Sequence, residues 1–264
     1  MPVASTTDHV DIHYDVGGSG PPIVLVHGIT DSSADWGPID ERLAVDHTVV
    51  SLDLRGHGRS GDSDDYSPLG MAHDVEAVVD ASGIEPPLVV GHSLGAVVAT
   101  AYAAGAPTRG VVSIDQTLRF SDSAATIRQL EHQLRGSGFH AALHALFRHL
   151  DGPLVPDSLR SRLATNRDTA RPEVVLGVWE LTFSTSDEDL DGLAAMVAPG
   201  VTVPHLSIFG NDPGDDYATW LTGLIPQAQV ELWDGLGHYP HLVDPDRFVD
   251  RLARFETASA GPPS

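Results

Sequence analysis

The sequence predicts a doubly wound α/β domain with a mostly parallel sheet, interrupted once by a helical insertion. Three observations carry that expectation. Short apolar, β-branched runs recur at 23–26, 48–52, 88–90, 111–114, 206–209 and 230–233, each of a length and composition suited to a buried strand. Segments of helical periodicity separate most of these runs, which is the order of right-handed βαβ crossovers. The alternation lapses from Gln116 to Gly200, where helical patterns follow one another with no strand among them.

Taken in order, residues 10–16 alternate apolar and polar side chains and lead through Gly17-Gly18-Ser19-Gly20 into Ile23-Val24-Leu25-Val26, which reads as a hairpin entering the sheet. A helix is expected over 36–45, a strand over 48–52, a Gly/Arg loop, and a helix over 68–82. The strand 88–90, a sharp turn, the alanine-rich helix 96–104 and the strand 111–114 continue the alternation. Helices are then expected over 124–134, 139–150, 159–166 and 172–183. The strand 206–209, a helix over 217–224, the strand 230–233 and a helix over 245–255 close the domain. The small, proline-rich tail 258–264 reads as disordered. The organisation expected is a core of residues 1–116 and 201–264 with an insertion at 117–200.

Composition narrows the function classes. The 264 residues carry a formal net charge of −22, with arginine and no lysine among the basic side chains. Such a surface repels phosphate backbones and anionic membranes, so neither nucleic acid nor membrane is an expected partner. Zero cysteines exclude disulfides, thiolate metal sites and a thiol nucleophile. No run of 18 apolar residues occurs, and Met1-Pro2-Val3-Ala4 does not read as a secretory signal, so a cytoplasmic protein is expected.

The most informative stretch is Gly91-His92-Ser93-Leu94-Gly95, between a strand run and an alanine-rich helix. A serine on so tight a turn sits at a strained backbone position with its hydroxyl exposed above the sheet edge. Serine is a poor nucleophile until a positioned base removes its proton, and the base needs a carboxylate to orient it. His238, in Gly237-His238-Tyr239-Pro240-His241 after the last strand run, is the expected base. Asp212, at the carboxyl end of the strand 206–209, is the expected acid, with Asp215 and Asp216 close by as alternatives. The oxyanion of a tetrahedral intermediate needs amide donors, expected from Leu94 and from Ile29, with Gly28 allowing close backbone approach. His27 and His92 are expected to support this site by hydrogen bonding.

With these pieces in order, the chain resembles the α/β-hydrolase-fold superfamily, in its single-domain esterase, lactonase and haloperoxidase branch. The residues that carry the resemblance are His27-Gly28, Trp36, Asp53-Leu54-Arg55-Gly56-His57-Gly58-Arg59-Ser60, the pentapeptide around Ser93, Gly237-His238 and Pro240-His241-Leu242. It implies a Ser-Asp-His triad in chain order, a helical cap formed by the insertion, no metal and no organic cofactor. In some members of the family the acid follows the strand before the insertion, which is the position of Asp115. The segment around Arg55, His57 and Arg59 is, by the same resemblance, a loop that organises the core.

His140, His144 and His149 have a spacing that can bind zinc, but no acidic partner is evident in sequence and a surface histidine pair is the reading preferred. Phe139, Phe147, Trp179 and Phe183 fit either an acyl pocket or cap packing. The function expected is hydrolysis of a small carboxylic ester or lactone through an acyl-enzyme on Ser93, by a monomer or homodimer, with neutral or cationic substrates favoured by the acidic surface. The rival readings are perhydrolysis or C–C or cyanohydrin cleavage on the same triad, and a non-catalytic small-ligand binding protein.

Overall fold

The computed structural model describes residues 2–84 and 86–259. One eight-stranded sheet is formed by β1 (Val3–Ser5), β2 (Asp11–Gly18), β3 (Pro22–Val26), β4 (Thr48–Leu52), β5 (Leu88–His92), β6 (Gly110–Ile114), β7 (His205–Phe209) and β8 (Ala228–Leu232). Their spatial order is β1-β2-β4-β3-β5-β6-β7-β8. The first two strands run antiparallel to their neighbours, and β4 through β8 are parallel.

The hairpin expected between residues 10–16 and 23–26 does not form. β2 pairs with β4, Tyr14 opposite Leu52, and β4 lies between β2 and β3. The cause is legible in β3 itself: Ile23, Val24, Leu25 and Val26 are fully buried, so the strand demands a parallel neighbour on each edge and leaves β2 the outer slot.

Helices cover both faces. Successive strand residues point to opposite sides, so Val24, Val26, Val50 and Val89 join one core while Ile23, Leu25, Val49 and Val90 join the other. On the first side lie α2 (Pro68–Ser82) and α3 (Leu94–Gly105), through Met71, Val75, Val98 and Tyr102. On the second lie α1 (Pro38–Leu43) and, from the chain's end, the helix Pro245–Ser259, through Ile39, Leu43, Phe248 and Leu252. α2 shows why these helices start and stop where they do. Ser67 accepts the Gly70 amide at 3.1 Å, Pro68 opens the first turn, and Gly83 closes the helix in the left-handed region with φ 65°.

Between β6 and β7 come α4 (Ser121–Leu134), α5 (Phe139–Leu150), α6 (Asp157–Thr169), α7 (Pro172–Val178), α8 (Glu180–Ser184) and α9 (Asp187–Val197), with no strand among the described residues. The single helix expected over 172–183 breaks at Trp179, and α9 was not anticipated. Its signal is local, since Ser186 accepts the Asp189 amide and three acidic residues occupy the first turn. After β7 follow α10 (Tyr217–Leu224), the short α11 (Pro240–Val243) and α12 (Pro245–Ser259). The tail expected as disordered is helical at residues 258 and 259, and from residue 260 on lies outside the described residues. None of the described helices is long and apolar enough to cross a membrane.

Candidate active site

Ser93 links the buried strand β5 to α3 at φ 51° and ψ −121°, a left-handed position that a non-glycine residue occupies only when its surroundings enforce it. The enforcement is steric. A Cβ on Gly91 would land on the Gly95 carbonyl, and one on Gly95 would land on the Val26 carbonyl, so neither position admits a side chain. The Ser93 amide donates to the Ile114 carbonyl at 2.9 Å, extending the β5–β6 pairing through the turn. Its side chain makes no capping hydrogen bond to α3, so the hydroxyl is not engaged as an ordinary helix start would engage it. Leu94 is the first residue of α3, and its amide belongs to the turn with no intrahelical acceptor, at the positive end of the helix dipole.

The carboxylate on His238 belongs to Asp115. Asp115 follows β6 at φ 47°, again left-handed, and its Oδ2 accepts from His238 Nδ1 at 2.7 Å. The same carboxylate accepts the Gly210 amide at 2.7 Å, the Asn211 amide at 3.1 Å and Asn211 Nδ2 at 3.2 Å. Burial alone would push the Asp115 carboxyl up. The hydrogen bond from His238, that ring's charge and the Asn211 and Gly210 amides outweigh it and hold the group below the usual carboxylate range.

The expectation for Asp212 is therefore corrected: its side chain is exposed and accepts the Gly214 amide at 2.8 Å, closing a local turn. Asp215 is exposed as well, and Asp216 is paired with Arg119 at 2.9 Å on the surface. The end of β7 contributes amides rather than an acid, because Gly210 and Asn211 already face Asp115 from the neighbouring strand.

His238 is held from two sides. Its amide donates to the Leu150 carbonyl at the end of α5 at 2.8 Å, and its own carbonyl accepts from His92 Nε2, also at 2.8 Å. Asn211 Nδ2 reaches the same Leu150 carbonyl at 3.0 Å, so a single acceptor in the helical segment fixes both the His238 loop and a partner of Asp115. A Cβ on Gly237 would land on the Asp151 carbonyl, which makes that glycine the condition for the loop lying so close to α5.

Beneath His238 the rings are stacked closely. His92 lies 4.7 Å from the His238 ring, 4.6 Å from Tyr239 and 4.8 Å from His241, centroid to centroid. Burial pushes the His92 imidazole down against the raising effect of Asp31, and its Nε2 donates to the His238 carbonyl. Burial pushes His241 well down too. The Nδ1 of His92 faces Asp31 Oδ2 at 3.6 Å, beyond hydrogen-bond reach. A Cβ on Gly28 would stand 3.0 Å from both of these atoms, so Gly28 lets the loop after β3 lie against His92.

That loop carries Ile29, whose carbonyl accepts from His57 Nε2 at 2.8 Å. His27 Nδ1 donates to the Gly28 carbonyl at 2.8 Å, and its Nε2 accepts the Leu54 amide at 3.0 Å, tying this loop to the one after β4. Arg55 is buried on Asp74 at 2.7 Å, and the exposed Arg59 pairs with the buried Asp53 at 2.8 Å. The histidines with zinc-like spacing are spread over other contacts: His144 meets Asp168 at 2.7 Å, an acidic partner not evident in sequence, and His140 meets the Ala170 carbonyl at 3.2 Å. Among the described residues no three ligating side chains cluster in a way that could hold a metal ion.

Two residues at the site were not foreseen. Asn211 immediately follows Gly210 at the strand end, and a polar side chain there was the available signal. Asp31 lies three residues beyond Gly28, and nothing in the sequence alone distinguishes it from a loop aspartate.

The family model described as "Alpha/beta hydrolase family" matches residues 23–251, nearly the whole described fold. The chain belongs to that family. Among its relatives, a pimeloyl-[acyl-carrier protein] methyl ester esterase of Xanthomonas campestris pv. campestris is 33% identical over 270 residues, covering 94% of this chain and 99% of the relative. A 2-(acetamidomethylene)succinate hydrolase of Mesorhizobium japonicum is 30% identical over 252 residues, covering 90% and 88%. Among solved structures, an esterase from Rhodococcus sp. ECU1013 superposes with a TM-score of 0.79 at 27% identity, covering 97% of this chain and 98% of that one. The hydrolase assignment rests on this membership and these relatives.

Proposed function

We propose that this hydrolase cleaves a small carboxylic ester or lactone through an acyl-enzyme on Ser93, with His238 as base and Asp115, not Asp212, as the acid that orients it. The observation that carries the reading is the 2.7 Å contact of His238 Nδ1 with the buried Asp115 carboxylate, in a chain whose Ser93 occupies a forced left-handed turn. In this reading the His238 ring takes the Ser93 proton as the hydroxyl oxygen attacks the carbonyl carbon. The tetrahedral oxyanion is received by the amides of Leu94 and Ile29. His238 returns the proton to the departing alcohol oxygen, which in a lactone stays attached to the acyl group. Water, deprotonated by the same ring, then attacks the acyl carbon, releases the acid and restores Ser93.

Asp115 serves by holding the Nδ1 proton and by its negative charge, which stabilises the imidazolium formed in both halves of the cycle. The helical segment 117–200 would act as the cap, with Phe147 standing 5.8 Å from the His238 ring, centroid to centroid. The test is intact-mass analysis after exposure to a fluorophosphonate, on wild type and Ser93→Ala. One adduct, mapped to Ser93 and lost in the variant, is the expected result. A folded wild type that takes no adduct would overturn the reading and leave a ligand-binding protein in its place.

A further inference from the structure

Asp31 has its side chain only 3% exposed to solvent, yet it lines a cavity of about 340 Å³ beside the loop that carries Ile29. The other walls include His57, Asn166 of α6, Arg171 and Val174 of α7. Burial alone would push its carboxyl up, but the polar contact with His92, the charges of His92 and His27 and the Asn166 donor outweigh it and keep the group ionised, although its close donors are few and long. The donors it meets are Asn166 Nδ2 at 3.3 Å and Thr30 Oγ1 at 3.4 Å, both on Oδ1, while the ring of His92 stands 3.6 Å from Oδ2. No guanidinium is among its partners, and the chain has no lysine to supply one. The cation of the cavity, Arg171, is committed elsewhere, to Asp62 at 2.6 Å and to the Gly56 carbonyl at 2.6 Å. The cavity's second carboxylate, Asp35, already faces Arg162 at 3.3 Å. A buried carboxylate that stays ionised with no fixed cation in contact can receive a positive group from a ligand.

We propose that Asp31 is a specificity-determining residue that receives a primary ammonium group on the substrate, so that the preferred substrates are small esters or lactones bearing an amine. The proposal rests on the serine-hydrolase reading for the word substrate, but the amine site itself does not need it. Asp31 lies two residues from Ile29, and its Oδ2 stands beside His92, the chain neighbour of Ser93. Ile29 lines the same cavity, so an ammonium held there would lie beside one of the two residues whose amides are proposed to receive the oxyanion. Val174 gives the connecting methylenes an apolar wall, and the net charge of −22 raises the local concentration of cations around the entrance.

The experiment compares kcat/KM for ethyl esters of 3-aminopropanoic, 4-aminobutanoic and 6-aminohexanoic acids with that for the uncharged isosteres ethyl butanoate, pentanoate and heptanoate. Wild type is expected to favour at least one ammonium ester over its isostere, and the ratio is expected to fall about 10- to 100-fold in Asp31→Asn, the range for a hydrogen bond to a charged group. A ratio that does not change, however far both rates fall, would show that Asp31 acts through His92 or the fold and would overturn the proposal. Asp31→Ser is run beside it, so that a folding defect in one variant does not decide the result. Calorimetric titration with n-butylammonium separates the two readings. Amine binding weakened at least tenfold in Asp31→Asn supports the site even where Ser93 takes no fluorophosphonate, while binding that is absent or equal in both proteins sinks it.

Discussion

Two carboxylates face imidazoles at this site, and they are built differently. At the end of β6, Asp115 meets His238 at 2.7 Å and also accepts three donors from Gly210 and Asn211. In the loop after β3, Asp31 stands 3.6 Å from His92, with its side-chain donors at 3.3 and 3.4 Å. The first carboxylate is saturated by its own protein and can do nothing but hold a ring. The second is also kept ionised by its neighbours, but its donors are fewer and longer and no fixed cation touches it, which leaves it able to receive a group from outside the chain. The number and length of hydrogen bonds, more than burial, separates a positioning carboxylate from a receiving one.

The comparison is broken most decisively by exchanging the two acids proposed for the triad. Asp115→Asn is expected to lower kcat for an activated ester by about 10³- to 10⁴-fold, because the amide cannot hold the productive tautomer. Asp212→Asn, on an exposed turn, is expected to stay within about twofold. Equal losses in steady-state kinetics would show that the β6 pair is not the working one.

A third group of imidazoles sharpens the contrast by having no carboxylate partner. His205 is fully buried in β7, with Thr100 Oγ1 at 3.5 Å as its side-chain neighbour, and burial pushes its imidazole down to about 4. Below the ordinary value of 6.5 the unfolded chain takes up a proton that the folded chain refuses until about pH 4, so stability rises with pH across that window. The contribution lost on going down it is about 3 kcal/mol. Chemical denaturation at pH 6.5 and 4.5 should give a shallower pH slope for His205→Asn than for wild type, and equal slopes would exclude the effect. His57, also lowered to about 4 with burial as the main cause, and the buried His92 and His241, likewise lowered, contribute slope that remains in the variant.

Among the residues around His238, the smallest loss is expected at Asn211. Asn211→Ala removes the donor that Asp115 Oδ2 shares with the Leu150 carbonyl, and about a tenfold loss in kcat with little change in KM is expected. A change confined to KM would mean that Asn211 meets substrate instead of holding the acid.

Much of this arrangement was legible before any coordinates. Ser93 and His238 can be singled out because the turn and the loop that carry them have a local signature: two glycines that must lack a Cβ, and a glycine before a histidine after the last strand. The strand runs from β3 to β7 are legible because burial on both faces erases the polar alternation, whereas the edge strand β8 is only part-buried. Asp115 was harder to choose. Its partners come from the next strand, and no local pattern marks it as the acid over Asp212, since each follows an apolar strand, Asp115 directly and Asp212 after Gly210-Asn211. The pairing of β2 was misread because a Gly-rich turn between two strands looks the same whether the strands pair or a third slips between them. Asp31 was invisible for a similar reason: its character depends on Asn166, which lies 135 residues away in sequence and meets it only after folding.

The Leu150 carbonyl, described above as the shared acceptor for the His238 amide and Asn211 Nδ2, has a consequence for anyone who would recombine members of this family. The helices between β6 and β7 are not an interchangeable lid. A transplanted segment would have to deliver one oxygen atom to the same point in space, at the end of a helix of matching length. A chimera that misses it by an ångström would keep its pocket lining and lose its grip on His238. Grafts that retain α5 and exchange only residues 152–200 keep that grip and are the ones to build.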